Sequence, residues 1–178
     1  MKYGLQMYSV RDVTDKDLAG ALKKVAEMGY GIVEFAGFFG HEAAEVKAML
    51  DEYGLECLST HSGWEAAVND TAAAIAYHKT IGATRYIIPG ADLGTKEKLD
   101  NFIEKTNGVI DQFAAEGIAL GYHNHSHEFI PTAEGIVIHE ELQKRSKMNF
   151  QIDTFWAWNA GVDPIALIEK LKDRVDII

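Results

Sequence analysis

Two periodicities take turns along this chain. Short apolar runs with the two-residue rhythm of strands fall at 3–10, 31–36, 55–60, 85–89, 118–123, 150–153 and 175–178. Between them, apolar residues recur at spacings of three and four, as on one face of a helix. Leu18, Ala21, Leu22, Val25 and Met28 form such a stripe over 18–28, started by Asp15-Lys16-Asp17 and closed by Gly29. Val46, Met49 and Leu50 repeat it over 42–53, with Gly54 behind them. Asn69 or Asp70 caps a helix over 72–81 that Gly82 closes, and a long helix runs over 96–115 to Glu116-Gly117. A helix is also expected over 134–145, although Gly135 and the β-branched run Ile136-Val137-Ile138 weaken it. Asp163-Pro164 starts the last helix, through 171.

Strict strand–helix alternation implies parallel strands joined by right-handed crossovers. Two architectures meet that description, an open doubly wound sheet and a (β/α)8 barrel of the TIM type. The doubly wound sheet wants a glycine-rich phosphate turn after the first strand, but the turn here is Ser9-Val10-Arg11-Asp12. No dinucleotide or Walker-type fingerprint occurs anywhere. Polar chemistry falls instead at the end of nearly every strand: Arg11, Glu34, His61, His123 and Asp153. A barrel builds its active site in this way, from many strand ends around one mouth. The expectation is therefore a TIM-type α/β barrel of six to seven βα units, forming a single domain over 1–178 that stops in strand seven.

Composition narrows the classes. The 178 residues are 47% hydrophobic and 25% charged, with three prolines, as in a globular domain with a real core. No apolar run approaches the ~20 residues that span a bilayer, and the N-terminus lacks the apolar core of a signal peptide. The net charge is −10 with no Lys/Arg cluster, so neither nucleic acid nor membrane is an expected partner. The single cysteine, Cys57, sits in an apolar run and reads as a buried, inert thiol, consistent with a reducing cytoplasm.

The richest stretch is Gly121-Tyr122-His123-Asn124-His125-Ser126-His127-Glu128-Phe129, which holds three of the seven histidines. On a strand, His123, His125 and His127 would share one face, and with a carboxylate they suggest a divalent-metal site. The competing reading is a solvated edge, or histidines that only bond to their neighbours.

Several segments together resemble the sugar phosphate isomerase/epimerase family of xylose isomerase-like barrels. They are Leu5-Gln6-Met7-Tyr8-Ser9-Val10-Arg11-Asp12, Val33-Glu34-Phe35-Ala36-Gly37, Ser59-Thr60-His61, the histidine stretch, and Asp153-Thr154-Phe155-Trp156. The resemblance covers essentially the whole chain, in order. It implies one divalent ion (manganese first, then zinc, cobalt or magnesium) held by a carboxylate after strand five, an Asp after strand six, a His after strand seven and a Glu on strand eight. Asp153 matches the sixth-strand ligand. His123 sits where the family's fifth-strand Glu usually does, with His125 on the same face and Glu128 supplying a carboxylate nearby. Such a barrel takes about 250 residues, whereas this chain ends inside strand seven. Only part of the metal shell is therefore expected, and the site can be empty in this chain. The chain then reads as a fragment, or as a protomer whose barrel a homo-oligomer or second chain completes. The DNA-repair branch of the superfamily carries a His three residues after this Asp. Here that place is Trp156, which argues against phosphodiester cleavage.

The implied function is a metal-dependent isomerase or epimerase of a small sugar or polyol. It would move a proton next to a carbonyl through an enediolate. The alternatives are an inactive fragment or structural protomer, and a lyase or dehydratase on the same barrel. Glu34 and Glu128 are the expected proton carriers, with Glu128 doubling as a ligand beside Asp153, His123 and His125. An ionised Glu34 in an apolar strand is costly unless paired, so its rival role is a buried ion pair. His61, Trp64, Trp156 and Arg11 are expected to meet substrate. Phe155 and Trp158 are divided between a sugar-facing wall and core packing. His41, His78 and His139 are expected at the surface.

Overall fold

A computed structural model describes residues 3–178; Met1 and Lys2, which begin the N-terminal segment read above for a leader, lie outside the described residues. Seven parallel strands follow one another in a single sheet: β1 Gly4–Gln6, β2 Ile32–Ala36, β3 Glu56–His61, β4 Arg85–Ile88, β5 Ala119–His123, β6 Asn149–Gln151 and β7 Val175–Ile177. Each pairs with the next, with Gln6 opposite Glu34, His61 opposite Ile87 and His123 opposite Gln151.

The sheet curls into a barrel wall. Side chains on alternate positions of β2 and β6, four strands apart, touch across the interior, where Gln151 Nε2 donates to both oxygens of Glu34 at 2.9 Å. Inward positions are largely polar, whereas outward ones pack under the helices in two apolar clusters. Met7, Leu22, Val25, Val33, Phe35, Val46 and Leu50 build one. Tyr86, Phe102, Phe113, Tyr122, Leu142 and Phe150 lie in the other. At Gly121 a Cβ would come within 2.8 Å of Ile87 Cδ1, so any larger residue there would displace the end of that side chain. Cys57 is buried in the first cluster.

The longer helices are α2 Leu18–Glu27, α3 Ala43–Tyr53, α5 Thr71–Ile81, α6 Lys96–Ala115, α7 Ile138–Arg145 and α9 Pro164–Leu171. Their ends follow the local chemistry. Asp17 caps α2 through Gly20 N, Thr95 caps α6 through Lys98 N, and Gly54 and Gly82 close α3 and α5 in the left-handed region. Among the described residues no helix is long and apolar enough to cross a membrane.

The structure corrects the sequence reading in four places. The first strand stops at Gln6, because the Gln6 side chain accepts a bond from Tyr8 N and turns the chain into a 3-10 segment, Met7–Val10, and then α1, Arg11–Thr14. The helix expected over 134–145 begins only at Ile138. Gly135 takes φ +76°, and Thr132 Oγ1 accepts from Glu134 N and Ile136 N, which holds that stretch as a turn. Two helices were not expected, α4 Trp64–Asn69 and α8 Thr154–Asn159. His78 and His139 are buried rather than exposed. His78 Nε2 lies 2.6 Å from Thr60 Oγ1 and its Nδ1 lies 2.7 Å from Ala74 O. His139 is sandwiched between the rings of Phe129 and Phe150, at 4.5 and 5.0 Å.

Candidate active site

The strand-end residues form a graded group, from fully satisfied to unsatisfied. Glu34, 8% exposed, points into the barrel from β2. Gln6 Nε2, Ser59 Oγ and Gln151 Nε2 all donate to its carboxylate, and His61 Nε2 lies 3.3 Å from Oε1. Such convergence offsets the cost of taking a carboxylate out of water. His61 Nε2 also lies 2.6 Å from Gln151 Oε1. Both neighbours of that nitrogen are acceptors, so it carries the proton, and in the neutral ring Nδ1 keeps the lone pair.

The His61 ring stands 4.8 Å from His123, and His123 stands 4.8 Å from His125. His123 is 9% exposed. Burial pushes its pKa down to about 3; His61 and His125 add to that, and a hydrogen bond with Gln151 opposes it. It is therefore neutral at ordinary pH. The Nδ1 atoms of His123 and His125 are buried, with no partner among the described residues. His127 departs from the expected shared face. The strand ends at His123, so His127 lies exposed in a 3-10 turn, His127–Phe129, with Nε2 3.1 Å from Glu128 Oε1.

Glu128 is 0% exposed and turns to the helix side of β5. Tyr122 Oη donates to Oε1 at 3.0 Å and His125 N to Oε2 at 2.8 Å. The Tyr122 phenol is raised well above its ordinary pKa, first by burial and then by this carboxylate. Glu128 thus fixes the loop that presents His125. Asp153 caps α8, its Oδ1 accepting from Trp156 N at 2.9 Å. The buried Asn124 side chain clamps the ends of β5 and β6, accepting from Asp153 N and donating to Asp153 O, each at 3.0 Å.

Of the residues expected to meet substrate, His61 and Trp156 join this group; the Trp156 ring lies 5.9 Å from His125. Trp64 lies in the helix layer, its ring 5.2 Å from Phe102 and its indole N–H donating to Thr106 Oγ1 at 3.0 Å. Arg11 is exposed, its guanidinium 4.4 Å over the Tyr8 ring and donating to Tyr8 O. Gln6, Ser59, Asn124 and Gln151 were not singled out from sequence. The available signal was a polar residue at an inward strand position.

The expected metal ligands do not converge. Among the described residues no three His, Cys, Asp or Glu side chains lie together as an ion's shell. Glu128 faces Tyr122 and Asp153 caps a helix; of these four expected ligands, His123 and His125 keep buried Nδ1 atoms without partners among the described residues. The donors present do not by themselves fit a divalent ion. Beside the Glu34 network, a cleft of about 520 Å³ runs between β1 and β7, lined by Gln6, Glu34, Ser59, Gln151 and Ile177.

A family model described as xylose isomerase-like TIM barrel matches residues 22–178. Inosose dehydratase of Geobacillus kaustophilus (strain HTA426) is 22% identical over 182 residues, covering 88% of this chain and 59% of the relative. The rhizopine catabolism protein MocC of Rhizobium meliloti is 23% identical over 188 residues, covering 90% and 56%. The crystal structure of a sugar phosphate isomerase/epimerase from Parabacteroides distasonis ATCC 8503 superposes with a TM-score of 0.81 at 24% identity, covering 98% of this chain and 72% of that one. The chain thus spans under three-fifths of the length of these two curated relatives, 59% and 56%.

Proposed function

The chain belongs to the xylose isomerase-like TIM barrel family, and on that premise we propose that it supplies proton-moving and substrate-facing groups of an isomerase, epimerase or dehydratase of cyclic polyol ketones or sugars. The observation that carries this reading is Glu34 held behind His61 inside the barrel, with the rings of His123 and His125 alongside. The names of the relatives, an inosose dehydratase and a sugar phosphate isomerase/epimerase, support the substrate class.

All three reactions share a first step. A base removes a proton from the carbon next to a carbonyl, and the electron pair moves onto the carbonyl oxygen to give an enediolate. His61 is suited to take that proton on Nδ1. Its Nε2–H faces Glu34, which stabilises the imidazolium as it forms. His123, neutral and desolvated, is suited to donate a hydrogen bond to the developing oxyanion, as a neutral imidazole can. If the proton returns to carbon, the product is an isomer or epimer. If the neighbouring hydroxyl leaves, it takes a proton and departs as water, and the product is a dehydrated ketone. A divalent ion, when bound, would polarise the same carbonyl; no step is derived through it, because the residues present do not assemble its shell. Trp156 and Asp153 border the space where the ring would lie. Glu34 is thereby a positioning residue.

Proton abstraction can be read without knowing the product. The full chain is incubated with myo-inosose and a panel of ketoses in deuterium oxide, and exchange of the C–H next to the carbonyl is followed by NMR. The expected result is exchange with at least one of them, reduced about 100-fold or more by His61→Asn. Exchange unchanged in His61→Asn, or none with any member of the panel, contradicts the reading.

A further inference from the structure

Two adjacent phenylalanines after β2 end in opposite surroundings. Phe38 packs into the helix layer, its ring 5.5 Å from Phe35 and 4.3 Å from Tyr77. Phe39 is 42% exposed. The chain reverses at this point. His41 N donates to Phe38 O at 3.0 Å, and the two central residues, Phe39 and Gly40, take φ +53° and +82°. Positive φ at both centres marks a type I′ turn, whose first centre favours Asn, Asp or Gly. Among the described residues Phe39 is the one non-glycine with positive φ. Its Cβ crowds the backbone in that region, so the position carries strain.

Both flanks hold the turn in this shape. Phe38 is anchored by packing, and Tyr77 Oη donates to His41 O at 2.7 Å. These anchors account for the backbone but not for the phenyl ring. Asn or Gly would take the same conformation with less strain, and an exposed ring gains little burial in return. A local rule broken without a return in packing points to function. Tyr8, Phe155 and Trp158 are also exposed, but none of them is held at positive φ. The loop leaves the strand end that carries the candidate site, since Ala36, the last residue of β2, pairs with His61. The Phe39 ring turns back toward that end, with Cζ 3.9 Å from where a Cβ on Gly37 would lie.

We propose that Phe39 is a substrate-contacting residue of the mouth, whose ring forms a wall for the C–H face of a cyclic polyol ketone. The inference rests on the function proposed above and deepens it, by giving the substrate ring an apolar partner. An aromatic face suits the C–H surface of such a ring. The pinned turn holds the phenyl group in place before the substrate arrives, which lowers the entropy cost of binding.

Phe39→Asn tests this, because strain and contact predict opposite signs. The substitution installs the Asn-Gly pair that a type I′ turn favours, so the urea midpoint should rise. Binding of myo-inosose, read by NMR titration of the full chain, should weaken about tenfold. Phe39→Tyr keeps the ring and should bind as the unsubstituted chain does. A higher midpoint with unchanged binding overturns the wall. So does a lower midpoint, since the ring would then belong to the packing. Myo-inosose that fails to bind the unsubstituted chain also overturns it, while deuterium exchange across the ketose panel separately decides the proposed function. Binding without exchange contradicts the proposed function and leaves the wall standing. A concentration-dependent dimer that Phe39→Asn dissolves, seen by sedimentation, would assign the ring to a second copy and overturns the proposal.

Discussion

On β2 the carboxylate of Glu34 meets donors from four side chains; on β5 and the loop after it, His123 and His125 bury Nδ1 atoms that meet none. Both regions line the same barrel, and both place polar chemistry where an apolar residue would cost less. A satisfied group such as Glu34 belongs to the scaffold and orients its neighbours. An unsatisfied buried nitrogen costs folding free energy, and where it lines the barrel mouth it is free to meet a ligand. The contrast separates the residue that holds His61 from the residues proposed to face a ligand.

The largest expected effect is on the satisfied side. Glu34→Leu strands the donors of Gln6, Ser59, His61 and Gln151 in the interior. It should cost about 3 kcal/mol or more in urea denaturation. A loss under about 1 kcal/mol would break the comparison, since Glu34 would then not be what holds that wall together.

Next comes the response to acid, which involves two other buried histidines. Burial lowers the pKa values of His78 and His139 to about 4, and at His139 Lys170 and Arg174 add to the shift. The unfolded chain holds these protons from about 6.5 downward, so it binds more protons than the folded one below that pH. Stability is therefore full above about 6.5 and falls as pH drops toward about 4. Urea midpoints taken from pH 7.5 to 4 should show the decline, and His139→Phe should make it shallower. A flat profile would contradict the burial of these rings.

The smallest effect on stability is expected on the unsatisfied side. His123→Leu removes a buried nitrogen that has no partner. The urea midpoint should shift by an amount worth less than about 1 kcal/mol in either direction, while binding of a cyclic polyol ketone, read by calorimetry, should be lost. A large loss of stability would assign His123 to the scaffold with Glu34.

Much of the frame was legible in the sequence, because it is locally encoded. The long helix α6 lies over the expected 96–115, and the seven strands appear in the expected order. What escaped was decided by a few atoms or by distant partners. Gln6 ends β1 with one side-chain bond. Helices α4 and α8 have six residues each, too few to display a helical period. His78 and His139 are buried by Thr60, Phe129 and Phe150, which come from other elements. In the site, Glu34 and His61 stood out as polar residues at the ends of apolar strands. Gln151 did not, because its partner Glu34 is 117 residues away across the barrel. Glu128 was expected beside Asp153, but the strand ends at His123 and the next turn carries it behind β5 against Tyr122.

The central claim is that Glu34 and Gln151 fix the tautomer of His61. Long-range proton–nitrogen NMR correlations of histidine side chains report which ring nitrogen holds the proton. The account predicts a His61 ring protonated at Nε2, with Nδ1 bearing the lone pair, and loss of that single tautomer in Glu34→Gln. A His61 protonated at Nδ1 with a bare Nε2, or a tautomer indifferent to Glu34→Gln, would contradict it.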